Sequence, residues 1–298
     1  MREEGRVALV TGASGFTGHH LVPVLQAQGY RVVGVGRGRS VADEDIACDL
    51  TDAKAVQAVV AHVQPTHVVH LAGLAFVAHG DARAFYDVNL FGTLHLLEAL
   101  CALSEVPRRV LVASSANVYG VPGIERIAEG VCPAPVNHYA CSKLAMEHMV
   151  RGEFARLPVV ITRPFNYTGA GQDERFLIPK IVSHFKRKAS VIELGNLDVA
   201  REFADVRDVV DAYVRLLEVN GGAGECVNIC SGRAYGLGEV LALCEVLTEY
   251  RMEVRVNPAF VRANELPRLA GDPGKLVRMI GPRSLRSLAD TLRWMLDL

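Results

Sequence analysis

Apolar residues in the first half of the chain follow two alternating patterns. Short continuous runs rich in Val and Ile predict strands at residues 6–10, 31–35, 67–71, 109–114 and 158–163. Between them, at residues 19–29, 52–63, 85–103 and 139–157, apolar residues recur at helical spacing. Because strands that are apolar on both faces must be covered on both faces, this alternation predicts a parallel sheet with helices on each side.

The pattern changes after Pro164. Residues 165–203 are irregular and rich in Gly, charged and aromatic residues, whereas residues 204–219 predict one further helix with Asp205 as its N-cap. The tail beyond residue 233 mixes short helices with a predicted strand at 252–256. We therefore expect a sheet domain formed by residues 1–165 and 204–232, and a smaller mixed α/β C-terminal lobe formed by residues 166–203 and 233–298.

A glycine-rich segment, TGASGFTG at residues 11–18, lies directly between the first strand and the first helix. Glycines at this point let the backbone approach a pyrophosphate, and the helix N-terminus supplies N–H donors. In this strand–turn–helix context the segment predicts a dinucleotide site and a Rossmann-type, doubly wound parallel sheet. The predicted contacts in the segment are Gly12, Ser14, Gly15, Phe16, Thr17 and Gly18.

The end of the second strand indicates which dinucleotide is bound. Arg37 and Arg39 follow it, in place of the acidic residue that would hold an adenosine ribose 2′-hydroxyl. Guanidinium groups suit a 2′-phosphate, which favours NADP(H), with NAD(H) as the alternative. If both arginines are only solvated loop residues, cofactor choice is made elsewhere.

Further contacts to the cofactor are predicted at the ends of the following strands. Asp49, in CDLTD, is placed to accept a hydrogen bond from an adenine amino group. The same segment can supply a helix N-cap at Thr51 or Asp52, and both roles can hold together. Small residues in HLAG leave room for a cofactor across the sheet edge. The additional predicted contacts are Leu50, Leu71, Ala72 and Gly73.

Three residues in the middle of the chain predict proton transfer. Tyr139 and Lys143 are four residues apart, which places them on one face of a helix. A nearby ammonium group favours phenolate and is expected to lower the pKa of Tyr139, so that the phenol exchanges a proton with an alcohol or ketone. Ser115, at the end of the fourth strand, can hydrogen-bond the same oxygen.

Composition excludes several classes of partner. The 298-residue chain has a net charge of −1, which gives no electrostatic reason to expect nucleic acid or an anionic membrane. Its seven cysteines are scattered without a CxxC pair, so a disulfide framework or metal site is not expected. No apolar run is long enough to span a bilayer, and the charged start does not resemble a signal peptide. We expect a reduced, cytoplasmic protein.

Eight segments together resemble the extended short-chain dehydrogenase/reductases that act on nucleotide sugars. In chain order they are TGASGFTG, CDLTD, HLAG, VASSANVYG, YACSK, RPFNYTG, REFADVRDVV and RANELP. The resemblance covers essentially the whole chain. Within that family, RPFNYTGAGQ and DVAREFADVRDVVDAYVRLL, in a chain this short, are most similar to GDP-4-keto-6-deoxy-D-mannose reductases.

The resemblance implies roles for residues that spacing alone does not assign. Lys143 would hold the nicotinamide ribose, and Pro164 would lie beside the nicotinamide. The substrate would be a nucleotide diphosphate sugar, and the protein a homodimer formed through the helices at 84–103 and 139–156. The substrate contacts implied are Asn117 and Asn166 for the sugar or diphosphate, Phe176 and Lys180 near the base, Arg201 and Arg262 for the diphosphate, and Glu265 for the ribose.

The segment SSANVYG limits which reaction of this family is expected. The 4,6-dehydratases carry two acids where this chain has Ala116 and Asn117, and elimination of water needs both a base and an acid. A dehydratase is therefore disfavoured. A 4-epimerase needs only Ser, Tyr, Lys and bound NAD, and it stays open as the alternative. Arg37 favours exchangeable NADPH, so we expect reduction of the C4 ketone of a GDP-4-keto-6-deoxyhexose. A dinucleotide-sensing regulator would need none of the catalytic residues.

Overall fold

The central sheet is parallel, as the alternating pattern predicted, and has seven strands. The structure is a computed structural model that describes residues 5–75, 81–260 and 268–297. Its strands are β1 (Val7–Thr11), β2 (Arg31–Gly36), β3 (Glu44–Ala47), β4 (His67–His70), β5 (Arg109–Ala113), β6 (Arg126–Ile127), β7 (Val159–Pro164), β8 (Tyr167–Thr168), β9 (Val191–Leu194), β10 (Ala200–Glu202), β11 (Ala204–Asp205), β12 (Cys226–Ile229), β13 (Ala234–Gly236), β14 (Glu253–Val256) and β15 (Arg268–Gly271).

The order of strands in the central sheet is β12-β7-β5-β4-β1-β2-β3, and each neighbouring pair is parallel. From β1 the chain runs outward through β2 and β3 on one side, and then returns to β4 on the other. Such a reversal of order opens a crevice at the carboxyl ends of the strands, which is where doubly wound sheets bind their ligands.

Helices cover both faces of this sheet. They are α1 (Phe16–Ala27), α2 (Ala53–Val63), α3 (Ala82–Tyr86), α4 (Gly92–Cys101), α5 (His138–Glu153), α6 (Leu177–Lys186), α7 (Val206–Glu218), α8 (Leu237–Thr248), α9 (Gly274–Ile280) and α10 (Leu288–Met295). Helices α1 and α7 bury their apolar faces against one side of the sheet, and α2, α4 and α5 against the other. As predicted, the carboxylate of Asp205 caps α7 by accepting a hydrogen bond from the Arg207 backbone N–H.

The segment predicted as one helix at 85–103 contains a wider π-helical turn at Asp87–Phe91, between α3 and α4. Asn89 lies in this turn and is fully buried. Its amide oxygen accepts a hydrogen bond from the backbone N–H of Leu74, and its amide nitrogen donates to Ser142 on α5. The turn thus ties the loop after β4 to the helix that carries Tyr139.

A second set of strands lies in the C-terminal part of the chain. Four of them form a sheet of order β13-β10-β15-β6, and two pairs, β11 with β8 and β14 with β9, are separate. Helices α6, α8 and α10 pack around a separate apolar core there. The chain crosses between the two parts, since β6 pairs with β15 and Leu276 of α9 packs against the central sheet. The exact division into two domains stays a prediction.

Both edge strands of the central sheet escaped prediction. β3 and β12 have four residues each, and β3 has two charged residues followed by two apolar ones, with half of its side chains exposed. β12 contains Asn228, a fully buried amide whose oxygen accepts a hydrogen bond from the Tyr119 hydroxyl. Among the described residues, no helix has the length and apolar character needed to cross a membrane.

Candidate active site

The glycine loop at the end of β1 fits a dinucleotide pyrophosphate. Gly12 has a φ of +72°, and a Cβ there would lie 2.8 Å from the backbone nitrogen of Ala72. A Cβ on Gly18 would lie 2.4 Å from the carbonyl oxygen of Ala13. Gly15 occupies the N-cap of α1 without a capping side chain, which leaves the first N–H groups of that helix for an anion.

Two further residues of this loop face another part of the protein. The hydroxyl groups of Thr17 and Tyr167 are hydrogen-bonded at 2.7 Å, and the ring of Phe16 stacks on Tyr167 with centroids 6.0 Å apart. Both side chains are thus engaged by the segment that follows β7. The backbone N–H groups of Phe16 and Thr17, in the first turn of α1, stay available for the predicted cofactor contact.

The loop after β2 lies against the glycine loop. Arg37 and Arg39 are exposed, and a Cβ on Gly38 between them would lie 2.9 Å from the hydroxyl oxygen of Ser14. The loop is held in place by Asp45, whose carboxylate accepts hydrogen bonds from the Ser40 backbone N–H at 2.8 Å and from its hydroxyl at 2.6 Å. The structure therefore places both arginines beside the predicted pyrophosphate site.

Asp49 keeps its carboxylate at the same edge. Thr51 donates two hydrogen bonds to Asp49 Oδ1, from its backbone N–H and its hydroxyl, and these lower the pKa of Asp49, with a smaller contribution from Arg37. The N-cap of α2 is Asp52, one of the two alternatives considered. Leu50 is buried, and its carbonyl oxygen lies 2.9 Å from Nδ1 of His95.

The loop that follows β4 approaches the predicted catalytic lysine. The backbone N–H of Leu71 donates to the carbonyl of Thr11, which fixes the loop beside the glycine loop. A Cβ on Gly73 would lie 3.2 Å from Nζ of Lys143 and 2.8 Å from Oδ1 of Asn89. A side chain at position 73 would therefore displace the lysine.

Ser115 lies two residues after the end of β5 and is the N-cap of a 3₁₀ turn at Ala116–Tyr119. Its hydroxyl oxygen accepts a hydrogen bond from the backbone N–H of Asn117 at 3.1 Å. The Asn117 side chain is exposed, so it is available to a ligand at the mouth of the site. Ser114 points the other way, and its hydroxyl donates to Glu147 at 2.5 Å. The two adjacent serines thus have different surroundings.

Tyr139 and Lys143 are both buried on α5, next to Ser115. Burial raises the pKa of Tyr139 to about 12, and the nearby Ser115 hydroxyl opposes this effect. Burial lowers the pKa of Lys143 to about 8, while the charge of Glu147 opposes the fall. Lys143 Nζ donates to the carbonyl of Ala113 at 2.8 Å.

These values correct one expectation. Lys143 was expected to lower the pKa of Tyr139, but burial outweighs every opposing effect, and the opposing group is Ser115. The ammonium group is instead held by a backbone carbonyl of β5. Tyr139 therefore carries its proton at neutral pH, which suits a proton donor.

The described residues implied for substrate binding lie at the end of β7 and on later segments, apart from Asn117. Pro164 ends β7, half-buried, and Asn166 is exposed two residues later. Arg201 lies on β10, half-buried, with Nη1 donating to the Ala200 carbonyl at 2.9 Å. Phe176 caps α6, and Lys180 Nζ donates to the Glu193 carbonyl. The implied contacts Arg262 and Glu265 lie outside the described residues.

Three residues beside the site, two of them buried, were missed by reasoning from sequence. Tyr167 gave no signal, because its contact with Thr17 joins segments 150 residues apart. Glu147 and Arg163 form a buried ion pair with Nη2 and Oε2 2.5 Å apart. A charged residue one helical turn after Lys143 was the available sign of Glu147, whereas its partners cannot be found from spacing.

Comparisons with known proteins support this interpretation of the site. The sequence model of the NAD dependent epimerase/dehydratase family matches residues 8–230. GDP-6-deoxy-D-talose 4-dehydrogenase of Aggregatibacter actinomycetemcomitans is 38% identical over 92% of this chain and 90% of that protein. GDP-6-deoxy-D-mannose reductase of Pseudomonas aeruginosa is 34% identical over 97% of this chain and 95% of that protein.

A solved structure agrees over nearly the full length. RMD of Pseudomonas aeruginosa, complexed with NADPH, superposes with a TM-score of 0.86 at 32% identity and covers 98% of both chains. The family match spans the glycine loop, Ser115, Tyr139 and Lys143 together. The chain therefore belongs to the NAD dependent epimerase/dehydratase family of extended short-chain dehydrogenase/reductases, as its motifs predicted, and is an NAD(P)-dependent oxidoreductase.

Proposed function

We propose that the protein reduces the C4 ketone of a GDP-4-keto-6-deoxyhexose with NADPH. The observation that carries the proposal is Tyr139, a buried phenol that keeps its proton at neutral pH and has the Ser115 hydroxyl beside it. A ketone gains a hydride at carbon and a proton at oxygen, and Tyr139 is the group placed to give the proton.

The substrate class follows from the relatives. The two relatives described above are named for GDP-linked 6-deoxyhexoses, and one name specifies dehydrogenation at C4. 6-Deoxytalose and 6-deoxymannose differ only in configuration at C4, so one 4-keto sugar is the oxidised form of both. That shared ketone is the substrate we assign to this chain.

The mechanism divides the work among three side chains. When bound, a reduced nicotinamide supplies the hydride that adds to the C4 carbonyl carbon. Tyr139 transfers its phenolic proton to the carbonyl oxygen, and Ser115 donates a hydrogen bond that stabilises the charge developing there. Lys143, protonated below a pKa of about 8, would hold the nicotinamide ribose through its ammonium group.

Two neighbours of Ser115 argue against elimination of water. Ala116 has no ionisable group, and Asn117 carries an amide in place of an acid. Removal of a carbon-bound proton and protonation of a leaving hydroxyl both need such groups. Reduction and 4-epimerisation need neither, so these are the two reactions that an experiment has to separate.

An assay of NADPH consumption tests the proposal. Purified protein mixed with NADPH and a GDP-4-keto-6-deoxyhexose should consume the absorbance of the reduced nicotinamide in proportion to the sugar supplied. The UDP-linked analogue should react more slowly. A protein that consumes no NADPH with any 4-keto sugar nucleotide, yet interconverts a UDP-hexose with its C4 epimer, is a 4-epimerase and the proposal is wrong.

The cofactor we propose is NADP(H), with NAD(H) as the weaker alternative. Arg37 and Arg39 are exposed beside the glycine loop, and each can donate charge-assisted hydrogen bonds to a 2′-phosphate. Replacing both by alanine should weaken NADPH binding by about 10- to 100-fold. Isothermal titration with NADPH and NADH measures this, and affinity for NADH should stay unchanged. Equal NADPH affinity in variant and parent protein would place the selectivity elsewhere.

We also propose that the protein is a homodimer through α4 and α5. Phe91, just before α4, is 47% exposed, and Cys141, Ala145 and Met149 form a half-exposed line on α5. The two helices pack side by side, so these residues extend one continuous surface. Sedimentation equilibrium should give twice the chain mass of 32.3 kDa. A mass of one chain, over a range of concentrations, would contradict this assignment.

A further inference from the structure

Glu147 is a fully buried carboxylate with an unusually complete set of partners. The Ser114 hydroxyl donates to its Oε1 at 2.5 Å. Arg163 donates to both oxygens, from Nε to Oε1 at 2.9 Å and from Nη2 to Oε2 at 2.5 Å. Arg163 is itself 2% exposed, and its guanidinium lies over the ring of Tyr119 at 4.7 Å. The carboxylate is therefore fixed in position and orientation.

Each partner of Glu147 adjoins a residue of the site. Ser114 immediately precedes Ser115, at the end of β5. Arg163 immediately precedes Pro164, at the end of β7. Lys143 lies one turn before Glu147 on α5, where residues four apart face the same way. One carboxylate thus connects the three elements that carry the reacting groups.

Among the described residues, Glu147 is the carboxylate whose charge acts on Lys143. Burial lowers the pKa of Lys143 to about 8, and Glu147 raises it. His70, which faces Lys143 from β4, is uncharged because burial lowers its pKa to about 3. Cys226 of β12 faces Glu147 and is a neutral thiol, because burial raises its pKa to about 11. The cations facing Glu147 are Arg163 and, at 3.9 Å, Arg151.

Stability alone gives little reason for such a pair. A buried ion pair loses about as much by desolvation as it gains by attraction, and apolar side chains of similar volume often replace it without loss. The helix position of Glu147 would also accept an apolar residue, since Met146 and Val150 beside it are buried in the core. A role at the site accounts for the charge.

We propose that Glu147 is the positioning residue of the active site: it aligns the ends of β5 and β7 with α5 and keeps Lys143 charged. Its charge acts on Lys143 through space, and its hydrogen bonds act on Ser115 through Ser114. Only the expected effect on turnover rests on the proposed function. The effect on NADPH binding does not, because that binding can be measured without any sugar.

The first test is the pH dependence of NADPH binding, followed by the fluorescence of the reduced nicotinamide. In the parent protein, affinity should fall as the pH rises through about 8, where Lys143 loses its proton. Glu147→Gln removes the charge that favours the protonated lysine, so the fall should move to lower pH by about one unit. Glu153→Gln, the same change at an exposed site on α5, should leave the profile unmoved.

Glu147→Gln also leaves Arg163 buried without its counter-ion, so a second variant is needed. Glu147→Gln combined with Arg163→Met removes the unpaired charge and should recover stability. If Glu147 acts on Lys143, the double variant keeps the displaced pH profile even though it is stable. If the double variant shows the parent pH dependence of NADPH binding, Glu147 has a structural role only, and the proposed action of its charge on Lys143 is wrong.

Ser114→Ala tests whether Glu147 aligns the end of β5 through Ser114, without changing any charge. Loss of the bond to Glu147 should lower kcat by about tenfold at unchanged KM, because the end of β5 no longer holds Ser115 in register. The pH profile of NADPH binding should not move. Parent turnover in this variant would overturn the alignment role. If the parent protein turns over no GDP-sugar but the Glu147 variants shift NADPH binding, the substrate assignment fails and this inference stands.

Discussion

Tyr139→Phe should lower turnover of the 4-keto sugar by about 10²- to 10⁴-fold, the usual contribution of a positioned general acid. The phenol is buried and carries its proton at neutral pH, so no water replaces it easily as a donor. Removal of one hydroxyl leaves the ring in contact with Phe85, at a centroid distance of 6.0 Å. NADPH affinity should therefore stay close to that of the parent protein. Steady-state kinetics and a binding titration measure the two quantities.

The matched control for this substitution is Tyr250→Phe. The Tyr250 hydroxyl donates to the carbonyl oxygens of Lys188 and Ala189, far along the chain from the site. That variant should keep parent turnover. If Tyr139→Phe also keeps near-normal ketone reduction, another group is the proton donor and the assignment to Tyr139 is wrong.

Gly18→Ala should disable cofactor binding. The new Cβ would lie 2.4 Å from the Ala13 carbonyl oxygen and 2.5 Å from that of Gly12. Both contacts are to backbone, so the glycine loop itself must move away from the N-terminus of α1. We expect NADPH affinity to fall by tenfold or more, about 1.4 kcal/mol, and the free energy of unfolding to fall by about 1–3 kcal/mol. Titration with NADPH and denaturant unfolding measure the two changes.

Gly238→Ala is the corresponding control, because Gly238 lies in the first turn of α8 and a Cβ there meets nothing within 4 Å. It should leave NADPH affinity unchanged and stabilise the helix slightly. Parent affinity in Gly18→Ala would mean that the loop does not bind the cofactor through its close backbone approach.

The sequence predicts this fold well where local chemistry decides the structure. Continuous Val and Ile runs mark five of the strands, and the glycine loop marks the crevice. β3 and β12 could not be predicted in this way, because a four-residue edge strand forms only by pairing with a neighbouring strand. The π-helical turn at Asp87–Phe91 is also set by tertiary contacts, since the Asn89 side chain accepts a hydrogen bond from the loop after β4.

The same distinction holds at the site. Ser115, Tyr139 and Lys143 can be found from motif and spacing, because two share a helix face and the third ends a strand. The environment that sets their pKa values cannot be found in that way. Glu147 meets Ser114 and Arg163 from segments 33 and 16 residues away, and burial, which no motif records, raises the pKa of Tyr139.

The central claim is that NADPH reduces the sugar at C4. Transfer of deuterium from the cofactor to the sugar tests it most directly. The protein is incubated with NADPH deuterated at C4 of the nicotinamide and with GDP-4-keto-6-deoxymannose, and the product is analysed by mass spectrometry and proton NMR. Reduction at C4 predicts one deuterium per GDP-6-deoxyhexose, located at C4, with one NADPH consumed for each product. The coupling of H3 to the C4 position in an unlabelled run then identifies the talose or mannose configuration. A product without deuterium at C4, or no product while NADPH persists, would contradict the account.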